Sequence, residues 1–429
     1  MVIVNGVYPP EPLVTAQMGR DLAVRLVQDG SRVTVLCPYP SRPKGVRYAA
    51  FQASGSTRVD MEDGVEVVRL PSFTVLESKI VARARESFSF GLHACRYLRH
   101  QSERPDVLYV NAWPLLGPGL LAWYARHAGV PMVLHVQDVY PESLLAKLPG
   151  LLRGTVAGPL TMLDRWIARQ AYKVVVISAN MRRIYVESRH IAPEKVVAIN
   201  NWQDEHPYRE FMPRPEACAR YGVPEDRFTY LYLGNIGPVA GVDLLIRAFH
   251  EACLEGAQLV IIGDGSAKDT CEKLASRLQV RHVRFISDPD IGNVSILQSM
   301  AHVCMLPVRH AAGMSSVPSK LVAYLFSAKP VMATVDAESD TARVIREAGC
   351  GWVGSSEDVA WLAAKMAEVK AMPQSELVRI GLSGRKYALE QFSKAVGTER
   401  LASVVTEVTE QPRLGGKGRC LHPSTTNGL

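Results

Sequence analysis

The 429-residue chain predicts an α/β fold made of two parallel, doubly wound sheets in tandem. Three observations lead there. Short apolar runs rich in Val and Ile recur with helically spaced segments between most of them, as strands buried on both faces require. The first 35 or so residues run strand, loop, helix, strand, the opening unit of such a sheet. The same order restarts at Tyr230, after a stretch punctuated by proline.

In chain order, Val2 to Asn5 (VIVN) is a strand and Asn5 to Thr15 (NGVYPPEPLVT) a Pro-stiffened loop. Met18, Leu22 and Leu26 mark the first helix, which Gly30 stops. Val33 to Leu36 is the next strand, and 65–70, 107–110, 132–136 and 174–177 continue the sheet, with a helix expected from Ser178 to about Ser188. In the second half, strands are expected at 230–233, 259–262, 283–286, 302–306 and 331–335. Helices at 241–254, 267–278, 291–300, 319–327, 340–348 and 357–368 fill the gaps. The plan is an N-terminal domain over 1–195, a linker over 196–228, a C-terminal domain over 229–390, a helix over 391–411 and a disordered tail over 412–429. Each sheet is expected to bind ligand outside the carboxyl ends of its strands, and the cleft between the two domains is the default site.

Composition narrows the function classes. The eight cysteines stand singly, without a Cys-x-x-Cys pair, which argues for a reducing compartment and against structural zinc. Residues 1–200 hold 24 Lys/Arg against 16 Asp/Glu, whereas residues 201–429 hold 25 against 26. The first half is the basic one. No nucleic-acid motif accompanies it, so an anionic membrane surface or a phosphate-bearing lipid is the expected partner. Val107 to Ala125 carries no charge, but Asn111, Pro114, Gly117, Pro118 and Gly119 suit a strand, turn and helix better than a membrane span. Two segments, 78–104 and 144–167, mix Arg and Lys with Phe, Trp and Leu and could lie in a lipid interface, with a solvated helix face as the alternative for each.

The stretch Arg309 to Val335 is the strongest site candidate. Gly313, Ser315 and Ser316 lead into a helix with Pro318 at its first turn, and the amides of Ser319, Lys320 and Leu321 plus the Lys320 charge make an anion socket. Gly263 and Gly265 follow one buried strand, and Gly234 and Gly237 the strand before it; lacking side chains, they let main-chain amides approach a ligand. Asp138 and Glu142, on a strand-end loop, are candidates to orient an acceptor hydroxyl or act as a base. Asn111 and Trp113 end a strand and either line an acceptor or simply pack, while His135, inside a strand, is expected to be a core histidine. Asp288-Pro-Asp290 has the Asp-x-Asp spacing of a metal site but falls in a turn of the second sheet, so a metal-independent reaction is expected.

An ordered set of motifs now carries a resemblance: Tyr8 to Glu11 (YPPE), Gln137-Asp138 to Ser143, Asn200-Asn201-Trp202, Gly234 to Gly237 (GNIG), Val260 to Gly265 (VIIGDG), Val317 to Lys320 (VPSK) with Tyr324, and Ala348 to Gly351 (AGCG). Over residues 1–410 the chain resembles the GT-B glycosyltransferases of family 4, and within them bacterial surface-polysaccharide transferases of the fucosamine-transferase type. The resemblance implies two Rossmann-like domains facing across a cleft. It implies retaining transfer of a sugar, here an N-acetylated amino sugar, from a UDP-sugar to a lipid-diphosphate-linked or saccharide acceptor, without a cofactor. The donor side would comprise Gly234, Asn235, Gly237, Gly263, Gly265, Ile286, Ser315, Ser316, Ser319, Lys320 and Tyr324. Asn111, Trp113 and Gln137 would form the acceptor side, and Asp138, Glu142 and Lys320 the catalytic set. The expected location is cytoplasmic, peripheral to the inner face of the cell membrane.

The chain also departs from the family pattern. Where many members carry an Arg and a Lys in the first Gly-rich loop of the second domain, Asn235 and Ala240 stand, leaving Lys320, aided by Arg309, as the expected source of charge. The usual Glu-x7-Glu pair falls on Ser315 and Ala323, so the carboxylate that grips the ribose is missing. These departures motivate one alternative, a non-catalytic nucleotide-sugar-binding subunit; a second is a GT-B-type epimerase, which would need a carboxylate and basic set around the sugar.

Overall fold

The computed structural model describes residues 1–43, 46, 48, 51, 55–74, 80–112, 114–145, 150–287, 294–310 and 317–410. The chain folds into two units. The first gathers Met1–Val176, Ile184–Val197 and the chain from Thr398; the second gathers Ile177–Arg183 and Ala198–Gly397.

The first unit contains β1 (Val2–Asn5), α1 (Val14–Gln28), β2 (Thr34–Pro38), β3 (Arg58–Glu62), β4 (Val65–Leu70), α2 (Ile80–His100), β5 (Leu108–Ala112), α3 (Leu116–Ala128) and β6 (Met132–Val136). It continues with α4 (Glu142–Leu145), α5 (Gly150–Gln170) and β7 (Lys173–Val176); α6 (Ala179–Arg183) lies in the second unit, and β8 (Val196–Ala198) follows a π-helical turn over Ile184–Ser188. The strand order is β3-β4-β2-β1-β5-β6-β7-β8. β1 pairs in parallel with β2 and β5, β2 with β4, β5 with β6 and β6 with β7, whereas β3 pairs antiparallel with β4. β3 was not expected: it is an antiparallel edge strand with Val59 and Met61 exposed, so it lacks the apolar run that betrays a buried strand. At the far end of the chain, α15 (Lys394–Thr409) buries Leu401, Val405 and Val408, and Glu407 pairs with Lys173 at 3.0 Å.

The second unit contains α7 (Arg214–Arg220), β9 (Phe228–Leu233), α8 (Val242–Ala252), β10 (Ala257–Ile262), α9 (Lys268–Arg277), β11 (Val283–Ile286), α10 (Val294–Ser299) and β12 (Val303–Pro307). α11 (Ser319–Phe326), β13 (Val331–Thr334), α12 (Asp340–Ala348), β14 (Gly351–Gly354), α13 (Val359–Lys370) and α14 (Gln374–Gln391) complete it. Its parallel sheet runs β11-β10-β9-β12-β13-β14. Strand residues alternate between two cores: Leu231, Val260 and Leu306 pack on one face with α11, and Tyr230, Leu259 and Met305 on the other with α8 and α13. Each fully buried aliphatic side chain contributes about 1.5–3 kcal/mol of transfer free energy. Two stretches differ from expectation. Residues 196–228 are not a bare linker, because β8 and α7 lie there and Tyr208, Ala217, Cys218 and Val223 join the second unit's core. β14, at the end of the AGCG motif, adds a strand that periodicity did not reveal.

In each sheet the strand order reverses direction once, between β1 and β5 in the first and between β9 and β12 in the second. Neighbouring loops leave the sheet on opposite faces there, which opens a crevice at the carboxyl ends of the strands.

Candidate active site

At the crevice of the second unit, Leu233 ends β9 and Gly234 begins the loop to α8. The Gly234 N–H donates to Ile262 O (2.9 Å), Ile236 N–H to Asp264 O (2.8 Å), Ala267 N–H to Ile236 O (3.0 Å), and Gly263 N–H to Ile286 O (2.9 Å). This corrects the expected role of the glycines. The Gly234 and Gly263 amides are spent on locking the two loops together, and Ile286 contributes its carbonyl to that lock. Glycine is required because a Cβ on Gly263, at φ +135°, would overlap Gly234 O, and one on Gly265 would overlap Ile236 O. Gly237 is buried in the same loop.

A Cβ on Gly234, at φ +139°, would overlap Lys320 Cε, so this glycine makes room for the lysine stem. Lys320 leaves the first turn of α11, its Nζ lies 4.3 Å from the centre of the Tyr232 ring, and it donates to the Tyr232 hydroxyl. That hydroxyl donates to Asn235 O at 2.7 Å. Burial lowers the Lys320 pKa to about 8, so the ammonium is charged at neutral pH yet poorly hydrated. Such a cation gains most from an anionic ligand. Asn235 is exposed in the same loop, with its amide lying against Gly237 and Gly265.

Tyr324 has a different part from the one expected. It is fully buried; its hydroxyl accepts from Leu233 N–H (3.0 Å) and lies 3.3 Å from Leu233 O and 3.4 Å from Met305 O. It therefore fixes the ends of β9 and β12 and does not contact a ligand directly. The Leu321 N–H is taken by Pro318 O at 3.0 Å, so the socket rests on the turn before it. Ser319 is exposed, and its carbonyl accepts from Gln203 Nε2 at 2.8 Å. Arg309 does not aid Lys320: it donates to Asp243 (2.7 Å) and Glu357 (3.0 Å). Ala323, where the ribose carboxylate was missed, packs in the core. Gly313, Ser315, Ser316, Asp288, Asp290, Trp113 and the tail 412–429 lie outside the described residues. Among the described residues, no group of three or more His, Cys, Asp or Glu is placed to hold a metal ion.

In the first unit, Asn5, Asn111 and His135 stand in register across β1, β5 and β6. Asn111 Nδ2 donates to Asn5 Oδ1 at 2.7 Å, and Asn5 Nδ2 to Thr15 O at 3.3 Å. Asn111 thus lies at the crevice with its amide tied to β1. His135 behaves as the expected core histidine: it contacts the Tyr109 hydroxyl and Gln137 Nε2 (3.0 Å), and burial lowers its pKa to about 3. Gln137, half-buried, has its amide on the imidazole.

Beyond β6, Asp138 is exposed while Glu142 is committed. Arg189, almost wholly buried, donates to both Glu142 oxygens (2.8 and 2.6 Å), to Tyr140 O (2.7 Å) and to Asp164 (2.8 Å). Tyr185 donates to the other Asp164 oxygen at 2.9 Å. Glu142 is therefore a counter-ion that holds the loop, not a base. Burial pushes the Asp164 carboxyl up, against the pull of Arg189 and Tyr185. Glu11 of the YPPE motif is likewise structural, since one oxygen accepts from the Ser41 and Arg42 amides, each at 2.9 Å.

Residues 15–202 match the family described as glycosyl transferase 4-like domain, and residues 213–387 match glycosyl transferases group 1. The chain belongs to the GT-B glycosyltransferases of family 4. This transferase is 26% identical to glycosyltransferase WbjE of Pseudomonas aeruginosa over 79% of its own length and 83% of the relative's. It is 24% identical to the colanic acid biosynthesis glycosyl transferase WcaI of Escherichia coli K12, over 92% and 96% of the two chains. Its fold is also that of HepE of Anabaena, solved in complex with UDP-glucose, with a TM-score of 0.64 at 14% identity over 95% and 99% of the chains.

Proposed function

We propose that this glycosyltransferase moves an N-acetylated amino sugar from a UDP-sugar to a lipid-diphosphate-linked saccharide during surface-polysaccharide synthesis, with retention of configuration and without a metal. The observation that carries the reading is Lys320, an underhydrated cation laid across Gly234 where the second sheet reverses. A leaving diphosphate develops charge as the glycosidic bond breaks, and a preorganised, partly desolvated cation stabilises that charge more than a solvated one would. Lys320, the Asn235 loop and the start of α11 bind the diphosphate, and Asp138 orients the acceptor hydroxyl. The two relatives named for glycosyl transfer, one of them for colanic acid synthesis, and the UDP-glucose held by HepE support the substrate classes.

The acceptor's lipid implies work at a cytoplasmic membrane face. Along α2, exposed Val81, Arg85, Phe88, Leu92, Arg96 and Arg99 recur at helical spacing, an apolar and cationic stripe suited to anionic headgroups. No helix among the described residues is long and apolar enough to cross a membrane, so contact is expected to be peripheral. Calorimetry with UDP and UDP-N-acetylglucosamine tests the donor assignment, and product analysis with a lipid-diphosphate acceptor tests transfer. Binding without product would favour the non-catalytic subunit, and sugar inversion without acceptor the epimerase. Salt-sensitive sedimentation with anionic vesicles tests the stripe; sedimentation indifferent to salt would remove it.

A further inference from the structure

A second concave site lies on the flank of the second unit, between α8 and α9. Its cavity measures about 470 Å³, within the range of small-molecule sites. Arg247 reaches it from α8, Lys273 and Arg277 from α9, and Arg309 closes one end. Among the described residues Asp243 is the single acid on its wall, and it is already paired with Arg309. The lining is therefore strongly cationic.

The three remaining cations ignore nearby partners. Asp243 and Glu251 flank Arg247 at four residues on either side, and Asp269 precedes Lys273 by four, spacings at which helix ion pairs form readily. None of Arg247, Lys273 and Arg277 makes an ion pair among the described residues. Lys273 and Arg277 are themselves four apart on one helix, where like charges repel. Thr270, also in the wall, adds a hydroxyl donor.

We propose that this groove binds a small polyanion of the phosphate class, separately from the sugar donor. Arg247 grips it from one wall and Lys273 with Arg277 from the other, and Thr270 adds a neutral hydrogen bond. Gly237 and Pro238 line the end that Arg309 closes, where Arg309 Nε donates to Pro238 O at 3.2 Å, so the occupant touches the loop that carries Asn235. The assignment does not depend on the donor reading.

The test is calorimetric titration of the full chain with inorganic tripolyphosphate, alone and with saturating UDP. Binding is expected to persist in the presence of UDP and in Lys320→Ala. In the triple variant Arg247→Ser, Lys273→Ser, Arg277→Ser it is expected to weaken about 100-fold or more, since hydrogen bonds to charged groups commonly contribute about tenfold or more each. All three side chains are exposed, so the variant should retain the wild-type melting profile; Lys273→Glu alone, expected to lose about tenfold or more, is the check if it does not. Lys273→Arg should bind nearly as wild type. Absence of tripolyphosphate binding, or a single site lost in Lys320→Ala and untouched in the groove variants, overturns the proposal.

Discussion

The two sheets reverse strand order in the same way, yet the loops at their carboxyl ends are held by opposite means. In the first unit, charged side chains do it: the buried Arg189 ties Asp164 of α5 to Glu142 and to the carbonyl of Tyr140. In the second, main chain grips main chain through the Gly234, Ile236 and Gly263 amides, with Tyr324 as a pin from below. The difference follows from what each end has to present. A lock made of backbone uses no charged side chain and leaves room over Gly234 for Lys320. A lock made of ions consumes Glu142 and leaves Asp138 exposed beside it.

The ionic lock should fail most severely. Arg189→Ala strands Asp164 in a buried site and is expected to cost about 3–5 kcal/mol in denaturant unfolding. Asp164 already has a raised folded pKa, so the folded state holds a proton that the unfolded state has released, and stability falls as pH rises from about 3.8 through the raised value. Losing Arg189 raises it further; the deficit should therefore shrink on acidification, and a deficit constant with pH would refute this account. The backbone lock comes next. Gly263→Ala places a Cβ against Gly234 O at a positive φ and is expected to cost about 3 kcal/mol, with loss of UDP binding read by calorimetry.

Tyr324→Phe removes the acceptor for Leu233 N–H and should cost about 1–3 kcal/mol, with donor KM rising although the residue touches no donor. Lys320→Ala should leave the fold intact and weaken UDP about tenfold or more. Wild-type affinity should fall as pH rises through about 8, where Lys320 loses its proton, and the variant should be flat there. For stability the sign is reversed. Between about 8 and 10.5 the unfolded chain binds a proton at this lysine that the folded chain does not, so stability rises with pH across that window and Lys320→Met abolishes the rise. The smallest effect belongs to His135, whose ring resonances should not titrate between pH 5 and 8 by NMR.

The sheets were legible because parallel strands buried on both faces write themselves as unbroken Val and Ile runs. β3 was not, since an exposed edge needs no such run, and α7 was read as linker because Pro215 was taken for punctuation although proline suits a helix start. Lys320 could be found from the helix that bears it. Tyr232 could not: in YLYL it resembles any strand residue, and its contact with Lys320 spans 88 positions. The pairing of Glu142 with Arg189, 47 residues away, was invisible for the same reason, and so Glu142 passed for a base. Local spacing reveals which groups sit at a strand end, whereas long-range pairing decides which of them the fold ties down.

The first unit takes its final helix, from Thr398 onward, only after the whole second unit has intervened in sequence. During synthesis the second unit therefore has its complete set of elements before the first does, although the first emerges earlier. A nascent chain that has cleared the ribosomal tunnel only as far as Gly397 is expected to display a protease-resistant second unit and a first unit whose seam against Leu401, Val405 and Val408 is still open to chaperones. Docking of α15 is then the step that completes the first unit, and it waits on every element of the second.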